Sequence, residues 1–267
     1  MGWDLVALVY VSYLAAVALA WREFARARWP LLVATAVAWA PRVVAALSDG
    51  SGTSLSPALH VVLPALVLLI GYWLSGLFFV RPDVRTERRL QAIDDAVLVR
   101  SGVLAWFRRA PRGVTEYFEL SYLLVYLMIP AGAAMLALGG HPDRIAGYWT
   151  IVLLAEFASY GMLPWIQTRP PRAIEAASAG TSPSRLMRRL NLGVASRASI
   201  QANTVPSGHA AGAVAAALAV GSTMPIAGAG LMVLAISIAA ASVLGRYHYL
   251  VDAVLGVAVA IAAWLVV

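Results

Sequence analysis

Eight stretches of about twenty mostly apolar residues follow one another along this 267-residue chain, near 4–21, 30–47, 58–80, 118–138, 145–166, 207–222, 226–244 and 247–267. A hydrocarbon layer of about 30 Å needs roughly that many helical residues, because each advances the helix by only about 1.5 Å. Hydrophobic residues make up 61% of the chain and charged residues 12%, against about 45–50% and 25% in soluble domains. Disorder, a coiled coil and an ordinary water-soluble enzyme are excluded. The fold expected is all-α and integral to the membrane, with about eight transmembrane helices. The 207–222 run is short and rich in Ala and Gly, which suits a helix packed tightly among neighbours. The first run lacks a basic leader and does not read as a cleavable signal peptide.

The connections carry the charge. All 20 basic residues are arginine and the net charge is +7. In a membrane protein that excess points to anionic headgroups rather than nucleic acid. The absence of cysteine and lysine excludes disulfides, thiolate metal sites, cysteine nucleophiles and lysine Schiff bases. Residues 81–117 hold eight arginines and apolar Leu90, Ile93, Val97, Leu104 and Phe107, which predicts an amphipathic helix on the membrane surface. The loops after the first, third, fifth and seventh runs contain 18 of the 20 arginines; Arg42 and Arg144 fall elsewhere. The positive-inside rule places these loops in the cytoplasm and both termini outside. Setting aside Arg169, Arg172, Arg197 and Arg246 as potential ligands still leaves 14 against 2. Arg185, Arg188 and Arg189 read as plain cytoplasmic anchors. The Ala- and Arg-rich, lysine-free usage points to a GC-rich bacterium and its cell membrane.

Three short segments stand out from this background. Asn203-Thr204-Val205-Pro206-Ser207-Gly208-His209 opens the sixth run. Pro and Ser are helix-start residues, a helix N-terminus attracts phosphate, and Gly208 would let an anion approach the backbone. Gly245-Arg246-Tyr247-His248-Tyr249-Leu250-Val251-Asp252 opens the eighth run. There His248 and Asp252 are four residues apart, expected on one helical face, with the carboxylate fixing the imidazole tautomer. Gln167-Thr168-Arg169-Pro170-Pro171-Arg172 follows the fifth run, with two guanidinium groups suited to phosphate oxygens. Helix order puts all three segments on the arginine-rich side, as one composite anion site. Glu156 and Tyr160, four apart in the fifth run, are further candidates, with a structural hydrogen bond as the competing reading. His60 and His141 read as interfacial residues.

These segments resemble the type 2 phosphatidate phosphatase superfamily. Pro206-Ser207-Gly208-His209 matches its second motif in full, His248 and Asp252 match the end of the third, and Arg169-Pro170 matches part of the first. Met162 stands where that family has lysine, and Ser242 where it has arginine. The form Arg-Tyr-His-Tyr-x-x-Asp is similar to the inositol phosphorylceramide and sphingomyelin synthase branch. The resemblance covers roughly the third to eighth runs. It implies a six-helix phosphatase-like core in 51–267, with two extra helices in 1–50. It also implies a nucleophilic His248, an orienting Asp252 and a general acid His209. Arg169, Ser207 and the backbone N–H groups of Gly208 and His209 would hold the phosphoryl oxygens, with Arg172, Arg246 and Asn203 beside them. No metal or cofactor is implied. The expected activity is dephosphorylation of a lipid phosphate or diphosphate, phosphatidate-like or prenyl, with other membrane lipids as surroundings. Transfer of a phospho-headgroup to a lipid acceptor and non-catalytic carriage of lipid phosphates are the alternatives.

Overall fold

The structure, a computed structural model, describes residues 2–47, 57–175 and 186–267. Arg185 and the side chain of His60 lie outside the described residues. The α-helices are α1 (Trp3–Ala20), α2 (Ala25–Leu47), α3 (Pro57–Gly76), α4 (Val84–Asp94), α5 (Val103–Arg109), α6 (Arg112–Leu138), α7 (Ile145–Tyr160), α8 (Pro171–Glu175), α9 (Leu186–Ala198), α10 (Gly208–Gly221), α11 (Pro225–Leu244) and α12 (Leu250–Val266). Among the described residues the one departure from helix and loop is an isolated bridge between Thr168 and Asn203.

Each of the eight apolar runs is helical. By length and hydropathy together, α1, α6 and α11 suffice to cross a membrane, while α10, α12 and residues 61–76 of α3 are apolar but shorter. The shortening has a local cause. Residues 245–248 leave the helix before α12 and form a turn that carries the segment around His248, and residues 161–165 form the turn that ends α7 just before Gln167–Arg172. Val233, Ile236, Val254, Leu265 and Leu127 point outward, fully consistent with a hydrocarbon surround.

At the centre stands α10, nearly all of it buried, with α6, α7, α11 and α12 around it. Its sequence, GHAAGAVAAALAVG, explains the position: small side chains let neighbouring backbones approach closely. A Cβ on Gly228 of α11 would run into the backbone of Gly221. One on Gly256 of α12 would lie 2.5 Å from the carbonyl oxygen of Ser207 and 3.1 Å from the Ala210 side chain. Helices α1 and α3 pack on the outer side of α7, where Tyr10 stacks on Phe157 with ring centroids 4.1 Å apart.

Segment 81–117 differs from the single surface helix expected. It divides into α4, a π-helical turn over Asp95–Val99, the short α5 and the first residues of α6. Its buried face is Glu87, Leu90, Asp94 and Leu98, whereas Ile93 and Val97 are 42% and 47% exposed. The helical period is kept, but two inward positions are carboxylates, so a search for apolar residues selects the wrong face.

Close contact at Gly256 sets how α12 meets the start of α10. Gly256→Val should destabilise the protein by about 1–3 kcal/mol through overpacking against backbone that has nowhere to move. Thermal unfolding in detergent measures it; an unchanged Tm would contradict this packing.

Candidate active site

Main-chain hydrogen bonds join the three segments. The N–H of Arg172 donates to the carbonyl of Arg246 at 2.9 Å, that of Asn203 to Thr168 at 2.8 Å, and that of Ser207 to Asp252 at 2.9 Å. The turn before α12 is closed by Ser242, whose carbonyl accepts from both Tyr247 and His248 at 2.9 Å. Arg246 sits in this turn at φ +59°, a conformation unusual for a residue with a side chain. Its guanidinium is held at 2.5 Å from Asp94 and 2.8 Å from Glu175.

His248 lies two residues before α12, in the turn, and not on the helix with Asp252 as the spacing suggested. The two still meet, because Tyr249 is the N-cap and Asp252 the third helical residue. His248 Nδ1 is 3.6 Å from Asp252 Oδ2, an ion-pair separation longer than a hydrogen bond. The same Oδ2 accepts from the Tyr249 N–H and from Asn203 Nδ2, each at 2.9 Å. That fixes the carboxylate, and with it the side of the imidazole that faces away.

His209, in the first turn of α10, completes the pair. Its ring centroid is 5.8 Å from that of His248. It stacks on Tyr122 at 4.7 Å with the planes 5° apart, and Nε2 is 3.4 Å from the Tyr126 hydroxyl. Tyr122 in turn stacks on Tyr247 at 4.1 Å. Arg172 lies 4.8 Å and Arg188 5.1 Å from the Tyr247 ring centre, within cation–π range. A pocket lined by Arg172, His209, His248, Tyr122, Tyr247 and Thr204 results. A larger cavity of ≈ 270 Å³ between α3, α6 and α7 adjoins it. The two share His209, Tyr72, Tyr126 and Tyr160.

Other residues expected at the phosphate do different work. Arg169 is clamped by Glu87, with Nε 3.0 Å from Oε1 and one terminal nitrogen 2.8 Å from Oε2. Arg246 is spent on Asp94 and Glu175, and neither arginine lines the pocket. Asn203 is buried and bonds Thr168 and Asp252. The Ser207 hydroxyl caps α10 by accepting from the Ala210 N–H. Gly208 is needed for a different neighbour: a Cβ there would collide with Tyr160 and lie 2.7 Å from Glu156 Oε2. Among the four arginines, Arg172 is the one at the pocket, and it makes no ion pair among the described residues.

The sequence reading missed several partners. Tyr122 and Tyr126 belong to none of the three segments, yet both contact His209. Arg188, taken for an anchor, binds Glu119 at 2.9 Å and the Gly245 carbonyl at 2.7 Å. Glu119 also accepts from the Tyr247 hydroxyl and from Asn191, both at 2.6 Å. The available signal was the spacing of Glu119, Tyr122 and Tyr126, which puts three polar-tipped residues on one face of α6. Among the described residues, no group of three or more His, Asp and Glu side chains is placed to hold a metal ion.

Burial works to raise the Glu87 carboxyl, but hydrogen bonds from the Arg169 side chain and backbone, and its charge, hold it below the ordinary carboxylate range. A carboxyl lowered on folding contributes stability above its unfolded pKa and loses it as pH falls through the folded value. The Tm gap between wild type and Glu87→Gln should therefore be constant above about pH 5 and close as the pH drops below about 4. A gap unchanged down to pH 3 would contradict the clamp.

No curated protein and no solved structure matches the chain. A family model described as the PAP2 superfamily matches residues 88–266, well over half the chain, from α4 to the end of α12. Its members are membrane proteins that act as phosphatases or phosphotransferases, the type of phosphoryl transfer that paired imidazoles beside a guanidinium can carry out. On its sequence, its all-α fold and the segments that meet at His209 and His248, this chain belongs to the PAP2 superfamily.

Proposed function

We propose that the protein dephosphorylates a lipid phosphate or diphosphate through a covalent phosphohistidine. The observation that carries this reading is the arrangement of His209 and His248, with centroids 5.8 Å apart beside Arg172. In the first step His248 Nε2 attacks phosphorus. The bond from phosphorus to the lipid oxygen breaks, and that oxygen leaves with a proton from His209. In the second step water attacks the phosphohistidine, His209 takes the water's proton, and the phosphorus–nitrogen bond breaks to free phosphate. Asp252 faces Nδ1 and favours the charged imidazole that forms. Arg172 and the N-terminal end of α10 hold the phosphoryl oxygens. Arg169 and Arg246 act at one remove, through the loops they brace.

A lipid rather than a soluble ester is favoured by the ≈ 270 Å³ cavity, which is lined by Ala65, Leu68, Leu69, Val125 and Ile129 and reaches His209. Its apolar walls accept a tail that comes from the bilayer interior, whereas a small polar ester would leave them unfilled. The arginine distribution supports a site on the cytoplasmic face of a bacterial cell membrane with both termini outside. A C-terminal reporter that works only on the external side should then be active.

Purified protein given a panel of phosphatidate, prenyl phosphates and prenyl diphosphates should release phosphate from at least one. His248→Ala should abolish release, and His209→Ala should slow it by about 10²–10⁴-fold. Full activity after His248→Ala would overturn the mechanism. A new headgroup-swapped lipid in place of free phosphate would identify a transferase, and movement of lipid phosphate persisting without both histidines would identify a carrier.

A further inference from the structure

The pocket between the histidines is short of hydrogen-bond donors. A phosphoryl group in transfer spreads its charge over three equatorial oxygens. Arg172 can meet two of them with its fork. Arg169 and Arg246 are held by carboxylates and do not line the pocket. At the start of α10 the N–H groups of Gly208 and Ala210 already donate to the hydroxyls of Thr204 and Ser207, both at 3.4 Å. Losing one donor at a site of this kind costs about 10²–10³ in rate, so each remaining polar group on the wall matters.

Five tyrosines line that pocket. Four have an engaged hydroxyl: Tyr72 with Ser199 and Ile200, Tyr126 with His209, Tyr160 with Glu156, and Tyr247 with Glu119. The fifth, Tyr122, makes no hydrogen bond among the described residues, although it is only 8% exposed. Its oxygen is not one of the polar atoms sealed away without a partner, as Asn191 Oδ1 and Asn203 Oδ1 are, and opens into the pocket. The ring is locked, because it stacks on both His209 and Tyr247, with the planes 5° and 10° apart. Arg172 and Tyr126 lie close enough to act on the hydroxyl electrostatically. Tyr122 lines the pocket of the histidine pair and not the apolar cavity. Its free donor therefore serves the phosphoryl end of a substrate and not the tail.

We propose that the Tyr122 hydroxyl is a catalytic group that donates a hydrogen bond to a non-bridging oxygen of the phosphoryl group, beside Arg172. The proposal rests on the reading that phosphorus sits between His209 and His248. No bond to Tyr122 forms or breaks, and the hydroxyl keeps its proton. Its hydrogen bond strengthens as charge grows on the oxygen it meets, which lowers the barrier rather than merely tightening binding. A phenol held by stacked rings needs no rearrangement when the charge arrives, and that preorganisation is what makes such a donor effective. Its target is the phosphoryl group common to every substrate, so its contribution is the same whatever the tail.

Tyr122→Phe removes the hydroxyl and keeps the ring, and with it both stacks. On any lipid phosphate that the full-length wild type turns over, its kcat should fall about 10²-fold while KM changes by less than about threefold. The loss should be the same for substrates with different tails. Orthovanadate, which copies the five-coordinate phosphoryl group, gives a reading without turnover. It should raise the Tm of the wild type in detergent and raise that of Tyr122→Phe clearly less. Wild-type kcat in Tyr122→Phe overturns the proposal, as does an equal vanadate shift. If Tyr122 served only to hold the His209 ring, Tyr122→Phe would match the wild type and Tyr122→Leu alone would lose activity, which is the same contrary result. Should Tyr122→Phe lower the Tm of the free protein, its vanadate shift, measured from its own Tm, decides. Wild-type turnover that Tyr122→Phe leaves unchanged refutes the role of Tyr122 alone; no phosphate release from any lipid phosphate and no vanadate shift refute the phosphatase reading along with it.

Discussion

The carboxylate of Asp252 ties together the parts of the chain on which the site depends. Its Oδ2 takes hydrogen bonds from Tyr249 and Asn203 and faces His248, while its main-chain carbonyl accepts from Ser207. One residue thus caps α12, orients one imidazole and fixes the start of α10, where the other imidazole begins. The absence of a side chain at Gly256, one turn further on, lets the two helices come close enough for this to happen. A fully buried carboxylate is costly unless its charge is met by donors, so Asp252 holds its neighbours in place as firmly as they hold it.

The surface helix α4 extends the same logic outward. Glu87 holds Arg169, and Asp94 holds Arg246 while also accepting from the Leu250 N–H at the start of α12. Two carboxylates seven residues apart, on one face of one helix, grip the loops on either side of the pocket. The arginines they grip leave Arg172 as the guanidinium at the pocket. Phosphoryl transfer depends on preorganised charge more than on the number of charges. Bracing the frame with some arginines and presenting another to the substrate fits that requirement.

Much of this was legible in the sequence, and what was not has a common physical origin. Apolar runs gave the helices because membrane insertion selects for length and hydropathy directly. The Ala- and Gly-rich composition of residues 207–222 announced a buried helix, since small residues there serve only close packing. The segments around Arg172, His209 and His248 stood out, and helix order alone put them at one end. Lost were the pairings. Nothing local says that Arg169 meets Glu87 rather than a phosphate, because a guanidinium fits either carboxylate or phosphate. The inner face of α4 was misread because its buried positions alternate acids with leucines. Tyr122 and Tyr126 were hidden among aromatic residues that a membrane boundary would explain equally well. His248 was assigned to a helix it precedes by two residues, since a capping turn and a helical turn both span four positions.

Whether His248 is the group that takes the phosphoryl can be read chemically. Protein incubated briefly with a lipid phosphate labelled on phosphorus and quenched in alkali should carry label that withstands base, is lost in acid, and maps to the peptide containing His248. His248→Ala protein should carry none. Label on another residue, or phosphate release with no labelled protein even under rapid quench, would contradict attack by His248.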